Sequence, residues 1–177
     1  KQLIGDMRGS LDGEFNHPSG IALNSQGHLI VCDTDNSRVQ IFDSQLNHIR
    51  TVGSRGGRAG RFLTPTSVAV DANDVIYVTD SGNHRIQIFS PEGSLQRVIG
   101  SGYERQGFRG GGSEDGELNT PSGIAVSSQN GQIYVLETCN NRIQVFSEEG
   151  KFLFKFGLGG TGETCLNNPS SIVLTDQ

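Results

Sequence analysis

Three stretches of the chain repeat one another, and this repetition limits the possible folds more than any other property. Leu29 to Phe42 reads LIVCDTDNSRVQIF, Val75 to Phe89 reads VIYVTDSGNHRIQIF, and Gln132 to Phe146 reads QIYVLETCNNRIQVF. In each copy an apolar, β-rich run ends in a carboxylate (Asp33, Asp80, Glu137). A short polar turn with an asparagine follows (Asn36, Asn83, Asn140), and an arginine (Arg38, Arg85, Arg142) opens a second apolar run. Two β-branched or aromatic runs around such a turn predict a β-hairpin. Three hairpins at a near-constant interval predict a repeat architecture.

The flanks repeat as well. Pro18, Pro65, Pro121 and Pro169 each lead a short run of small and branched residues, at intervals of 47, 56 and 48 residues. Proline suits the first residue of a strand, where its missing N–H costs no ladder bond. The longer interval is accounted for by the loop Ser101 to Gly116. A full unit therefore carries four strands; in the second they fall near 67–70, 75–80, 85–89 and 95–99. In the third of these, Ile86 and Ile88 point one way and Gln87 and Phe89 the other. No segment has helical periodicity. Four antiparallel strands every ~45 residues is the pattern of a propeller blade, a wedge that buries its two faces only against neighbours.

The pattern Pro-x-Gly-Ile-Ala-Val…Ile-Tyr-Val-x-Asp-x-x-Asn-x-Arg-Ile-Gln-x-Phe resembles the NHL repeat, in three complete copies over nearly the whole chain. WD40 repeats are the rival, but the chain has no Trp. The resemblance implies an all-β propeller of four-stranded antiparallel blades: one domain over 1–177, with blades near 13–53, 60–100 and 116–157. Partial blades are expected at 1–5 and 165–177. Propellers of this type usually have six blades, and six need on the order of 270 residues at ~45 each; the chain is then about half of one.

The carboxylate, Asn and Arg sets (Asp33/Asn36/Arg38, Asp80/Asn83/Arg85, Glu137/Asn140/Arg142) admit two readings. A ring of carboxylates near a central channel can hold a cation. Alternatively Asp ends the strand, Asn takes the left-handed turn residue and Arg ties adjacent blades. Recurrence in every unit favours architecture. More individual chemistry sits between the units. Gly53 to Arg61 carries Arg55, Arg58 and Arg61 with no acid, and Tyr103 to Arg109 interleaves Tyr103 and Phe108 with Arg105 and Arg109. His84, Arg85 and Arg142 are expected on the same rim. Arginine beside aromatic residues can anchor a protein partner, or take phosphate and stack on bases. Against this, Glu104, Glu114, Asp115 and Glu117 make the longer loop acidic.

Signs of catalysis are few. His17, His28, His48 and His84 fall at different positions in their repeats. Peptidyl-hydroxyglycine lyase propellers, which are similar to NHL units, hold zinc through a histidine that follows the proline; here Ser19, Thr66, Ser122 and Ser170 stand there. No metal, cofactor or small-molecule substrate is expected. The net charge of −5 argues mildly against a dedicated nucleic-acid binder. Of the cations 11 are Arg and three Lys, and Arg is the better residue for planar bidentate contacts. Cys32, Cys139 and Cys165 share no repeat position, so free thiols in the cytoplasm are expected, with no membrane span or signal peptide. The sequence thus points to a recognition scaffold that binds a protein partner, with RNA as the alternative and a zinc lyase as a minor one. Many NHL propellers terminate tripartite-motif ubiquitin ligases, so the resemblance implies substrate recruitment, with ligase activity in domains outside this chain.

Overall fold

The computed structural model describes residues 8–100, 104–105, 108–109, 111–160, 162 and 165–175, and of residues 104, 105, 108, 109 and 158 the backbone alone. The expected partial blade at 1–5 lies outside the described residues.

Three four-stranded antiparallel sheets follow one another along the chain. The first is β1 (Pro18–Leu23), β2 (Leu29–Asp33), β3 (Arg38–Phe42) and β4 (His48–Val52). The second is β5 (Pro65–Val70), β6 (Ile76–Asp80), β7 (Arg85–Phe89) and β8 (Leu95–Ile99). A two-residue hairpin of β9 (Glu104–Arg105) and β10 (Phe108–Arg109) intervenes. The third sheet is β11 (Pro121–Val126), β12 (Ile133–Glu137), β13 (Arg142–Phe146) and β14 (Phe152–Phe156), followed by β15 (Leu158–Gly159) parallel to β16 (Cys165–Leu166). Among the described residues the helical structure is one short 3-10 turn, Ser81–Asn83, in the hairpin of the second sheet.

Each sheet begins on its proline, and the register slips directly afterwards, between Pro18 and Ile21, Pro65 and Ser67, and Pro121 and Gly123. The proline has no N–H for the ladder, so a bulge at this point wastes no bond. At the far end of the hairpin the register is regular and sets the carboxylate opposite the arginine: Asp33 on Arg38, Asp80 on Arg85, Glu137 on Arg142. The fourth expected proline-led strand differs. Residues 169–175 have no strand structure, because no strand among the described residues pairs with them. They still lie beside β11, where Ile172 approaches Gly123.

Successive blades are glued face to face by two separate cores. Ile30, Cys32, Val39 and Ile41 of the first blade pack with Phe62, Val68, Ile76, Val78 and Phe89. Ile86, Ile88 and Ile99 of the second pack with Leu118, Ile124, Ile133, Val135 and Phe146. Alternate residues of β7 thus serve different interfaces, Ile86 and Ile88 one and Phe89 the other, as period-2 geometry requires. The same positions on the free side of the first blade are open: Ile21 and Leu23 are 64% and 65% exposed, whereas Val68, the counterpart of Ile21, is 6% and Val70, the counterpart of Leu23, is partly buried. This is a propeller's layer logic, wedge against wedge.

Hydroxyl groups tie the blades at the inner end. Thr34 donates to the Pro65 carbonyl at 2.8 Å, Ser81 to that of Pro121, and Thr138 to that of Pro169 at 2.8 Å. The inner strands line a common open cleft of about 500 Å³ that includes Ser19, Thr66, Ser122 and Ser170. The serine and threonine after each proline, where the lyases have histidine, face this cleft.

Candidate functional site

The loop that joins one blade to the next is built to a single plan three times. In the second copy it runs from Gly53 to Thr64. The Asp80 carboxylate, fully buried, accepts the Leu63 amide on one oxygen at 2.7 Å. Its other oxygen accepts Asn83 at 2.8 Å, Arg85 Nε at 2.7 Å and Gln87 at 3.0 Å. Held in this way, the three donors turn their remaining N–H groups onto the loop. Asn83 reaches the Gly56 carbonyl, Arg85 those of Gly57, Arg58 and Arg61, and Gln87 that of Arg61. The Gln87 carbonyl in turn accepts the Gly60 amide. Backbone polar groups of an irregular loop need partners; here a buried polar cluster supplies them and fixes the loop's course.

Asp33, Asn36, Arg38 and Gln40 repeat this cage around residues 9–16, and Glu137, Asn140, Arg142 and Gln144 around residues 112–119. The carboxylates are therefore occupied by protein donors rather than gathered into a ring. Among the described residues no three His, Cys, Asp or Glu side chains are grouped to hold a metal. Burial pushes the Asp80 carboxyl up, and the donors from Leu63, Asn83 and Arg85 oppose it.

Two expectations change in detail. The left-handed residue of each turn is not the asparagine but its successor, Ser37 (φ 54°), His84 (φ 54°) or Asn141 (φ 49°), because the asparagine amide is committed to the cage. The arginine ties the incoming loop to the blade that follows it, rather than joining two sheets directly. The fourth member of each cage, Gln40, Gln87 or Gln144, is missing from the sequence-derived sets. Its signal was available: a polar residue at the same inward position of an apolar strand in all three copies.

The proposed contact residues divide by location. Arg85 and Arg142 are each 7% exposed, with their guanidinium donors spent on loop carbonyls, so they position the rim and do not present themselves on it. His84 is half-buried; its Nδ1 accepts the Thr120 amide of the next blade at 3.0 Å, and burial lowers its pKa. Asn141 makes the same contact to the Asn168 amide at 2.9 Å. Arg55, Arg58 and Arg61 are exposed, and their guanidinium groups have no hydrogen-bond or ion-pair partner among the described residues. Tyr103 lies outside the described residues, as do the side chains of Arg105, Phe108 and Arg109. On the neighbouring loop Asp115 pairs with Lys155 at 2.6 Å.

The NHL repeat family model matches residues 15–42, 62–89 and 118–146, the three hairpins with the strands that lead into them. This chain is a member of the NHL-repeat family. The NHL chain is 33% identical over 170 residues to Protein brain tumor of Drosophila melanogaster, across 96% of this chain and 10% of that protein. It is 38% identical over 61 residues to RING finger protein nhl-1 of Caenorhabditis elegans, covering 34% of this chain and 6% of that protein. Protein lin-41 of the same organism is 48% identical over 44 residues, covering 25% and 4%. The chain spans a tenth or less of these relatives. Among solved structures, Kuenenia stuttgartiensis hydrazine synthase superposes with a TM-score of 0.65 at 16% identity, over 96% of this chain and 42% of that one. A streptogramin B lyase gives 0.58 at 17% identity, over 87% and 43%. At such identity the likeness is one of fold.

Proposed function

We propose that the NHL chain is a non-enzymatic recognition platform whose rim binds an acidic segment of a partner protein. The observation that carries this reading is the set of three exposed, unpaired arginines, Arg55, Arg58 and Arg61, on a loop whose backbone the Asp80 cage holds in place. A loop that is already ordered loses little entropy on binding. Arginine suits carboxylate recognition because its planar fork donates to both oxygens at once. Among the described side chains these three arginines lie together on this loop, and the neighbouring one carries Glu114, Asp115 and Glu117. A short acidic segment fits that distribution better than a polyanion laid across the whole rim.

In a longer polypeptide that carries a ubiquitin-ligase module, this role amounts to substrate recruitment. The free thiols Cys32, Cys139 and Cys165 suit a cytoplasmic setting. The test is selection from a displayed peptide library of mixed composition. Acid-rich peptides should be enriched on the wild-type chain and lost on the triple variant R55A/R58A/R61A. Enrichment that ignores acidity, or survives the triple substitution, overturns the reading.

Single-stranded RNA is the second reading and draws on the same three guanidinium groups. With three phosphate contacts on a single strand it predicts an affinity that falls roughly 20-fold between about 50 and 200 mM salt, as counterion release demands. An acidic peptide held by one or two carboxylates has a far shallower dependence.

A further inference from the structure

The three interblade loops share one backbone plan, and comparison among them shows what the second one lacks. In the first loop the Glu14 carboxylate accepts the amide of Leu11 at 3.0 Å. In the third, Glu117 accepts the amide of Glu114 at 3.2 Å. Both carboxylates rest over a glycine: a Cβ added at Gly9 would lie 1.9 Å from Glu14 Oε2, and one at Gly112 would lie 2.0 Å from Glu117 Oε2. The corresponding residues of the second loop are Gly56, Arg58 and Arg61. Here the carboxylate is replaced by an arginine, whose stem crosses Gly56 with Cδ 2.9 Å from an added Cβ. Among the described residues nothing accepts the Arg58 amide.

The carbonyls on either side face inward in all three loops. Gly56, Gly57, Arg58 and Arg61 give theirs to Asn83, Arg85 and Gln87, as their counterparts give theirs to the other two cages. Carbonyls held inward leave the amide side of the loop free for an outside acceptor, and such concave backbone is a general anion-binding form. In the sister loops that acceptor is a glutamate of the chain itself. In the second loop the Arg61 stem lies over Gly56 instead, where it cannot accept the amide, and the exposed Arg55 and Arg58 on the same loop add positive charge.

We propose that the Arg58 amide, with Arg61 and Arg55, is a carboxylate-binding site, and that a glutamate or aspartate side chain of a partner protein, approaching beside the Arg61 stem, supplies the acceptor that Glu14 and Glu117 supply in the other loops. This rests on the recognition function proposed above and names the bond at its centre. A carboxylate is the occupant because the sister loops show one, in the same backbone, on the same amide.

The test follows the Arg58 amide by NMR while the wild-type chain is titrated with an N-acetylated hexaglutamate peptide. Three variants accompany it: R61E, R61Q and R55E. R61E supplies the sister loops' own residue, and R55E makes the same charge change where it cannot cap the amide. The expected result is a saturable downfield shift of the Arg58 amide in the wild type. R61E should show that shift without peptide and bind the peptide about tenfold more weakly than R55E, the difference being one charged hydrogen bond. R61Q should bind weakly yet still show the peptide-induced shift. A silent Arg58 amide in the wild type, or R61E and R55E behaving alike, overturns the proposal. So does an octauridylate that shifts the same amide at lower concentration than the peptide, since the occupant is then a phosphate. If peptide binding needs the arginines while the amide stays silent, this site fails and the recognition reading stands. If hexaglutamate does not bind, the site fails, and the library selection decides the broader reading separately.

Discussion

Removing the buried charge of Asp80 tests whether the cage holds the rim. Asp80 is fully buried and Arg85 nearly so, and their contact at 2.7 Å is one of four hydrogen bonds on that carboxylate. Burial holds the Asp80 carboxyl above its ordinary range despite these donors, so the intact pair adds little net stability. The cost lies in orphaning a partner. Asp80→Ala leaves the Arg85 guanidinium, the Asn83 and Gln87 amides and the Leu63 N–H without their acceptor, and breaking a buried pair in this way costs about 3–5 kcal/mol. For a chain of this length that corresponds to a melting temperature lower by roughly 10 °C. Arg85→Met should cost a similar amount by stranding Asp80. The double variant, Asp80→Ala with Arg85→Met, removes both charges, and the loop carbonyls that lose Arg85 can turn to water. It should therefore be more stable than either single variant. Urea denaturation of all four proteins completes the cycle. Destabilisations that simply add, or an Asp80→Ala loss below about 1 kcal/mol, would refute the reasoning, since neither is compatible with a coupled buried pair.

Three further outcomes are expected. His84 has its folded pKa lowered by burial and uses Nδ1 as an acceptor, so its contribution is complete above the unfolded value of about 6.5 and is lost as pH falls through the folded value. His84→Asn, which copies Asn141, should flatten the wild type's stability loss between pH 7.5 and 5, measured by urea midpoints. Thr34→Val keeps the shape but deletes the donor to the Pro65 carbonyl and should cost about 1 kcal/mol, seen as a small drop in melting temperature. Gly93 and Gly13 both have left-handed φ (83° and 86°), but a Cβ at Gly93 would lie 2.8 Å from Val52 Cγ2, while Gly13 has nothing within 4 Å. Gly13→Ala should cost about 1–2 kcal/mol for backbone strain alone. Gly93→Ala should cost measurably more in the same denaturation assay, because Val52 must move.

Local alternation carried most of the fold. The prolines, the polar turns and the apolar runs each act within a few residues, so β5 to β8 could be placed from spacing alone, with ends moved by one or two positions. The cage was legible in part. Asp80, Asn83 and Arg85 stand out because they crowd one turn, whereas Gln87 sits inside a strand, where a single polar residue reads as solvent-facing until its neighbours are known. That the left-handed residue is His84 rather than Asn83 follows from which amide the carboxylate captures. The difference between Arg61 and Glu14 or Glu117 was visible as letters. Its meaning required the positions of the Leu11 and Glu114 amides, which depend on contacts 24 to 29 residues away along the chain.

The backbone carbonyls of each interblade loop are held by residues of the blade it runs into, while the blade it leaves adds apolar packing on Phe62 or Leu118 and, in the third loop, the His84 bond to Thr120. A cut placed just after β4 or β8 would therefore release a portable cassette: a variable surface loop together with its own four-residue mount. Exchange of such cassettes could give new rims on an unchanged body, and a graft that split a loop from its mount would lose the loop's shape even with every surface residue retained.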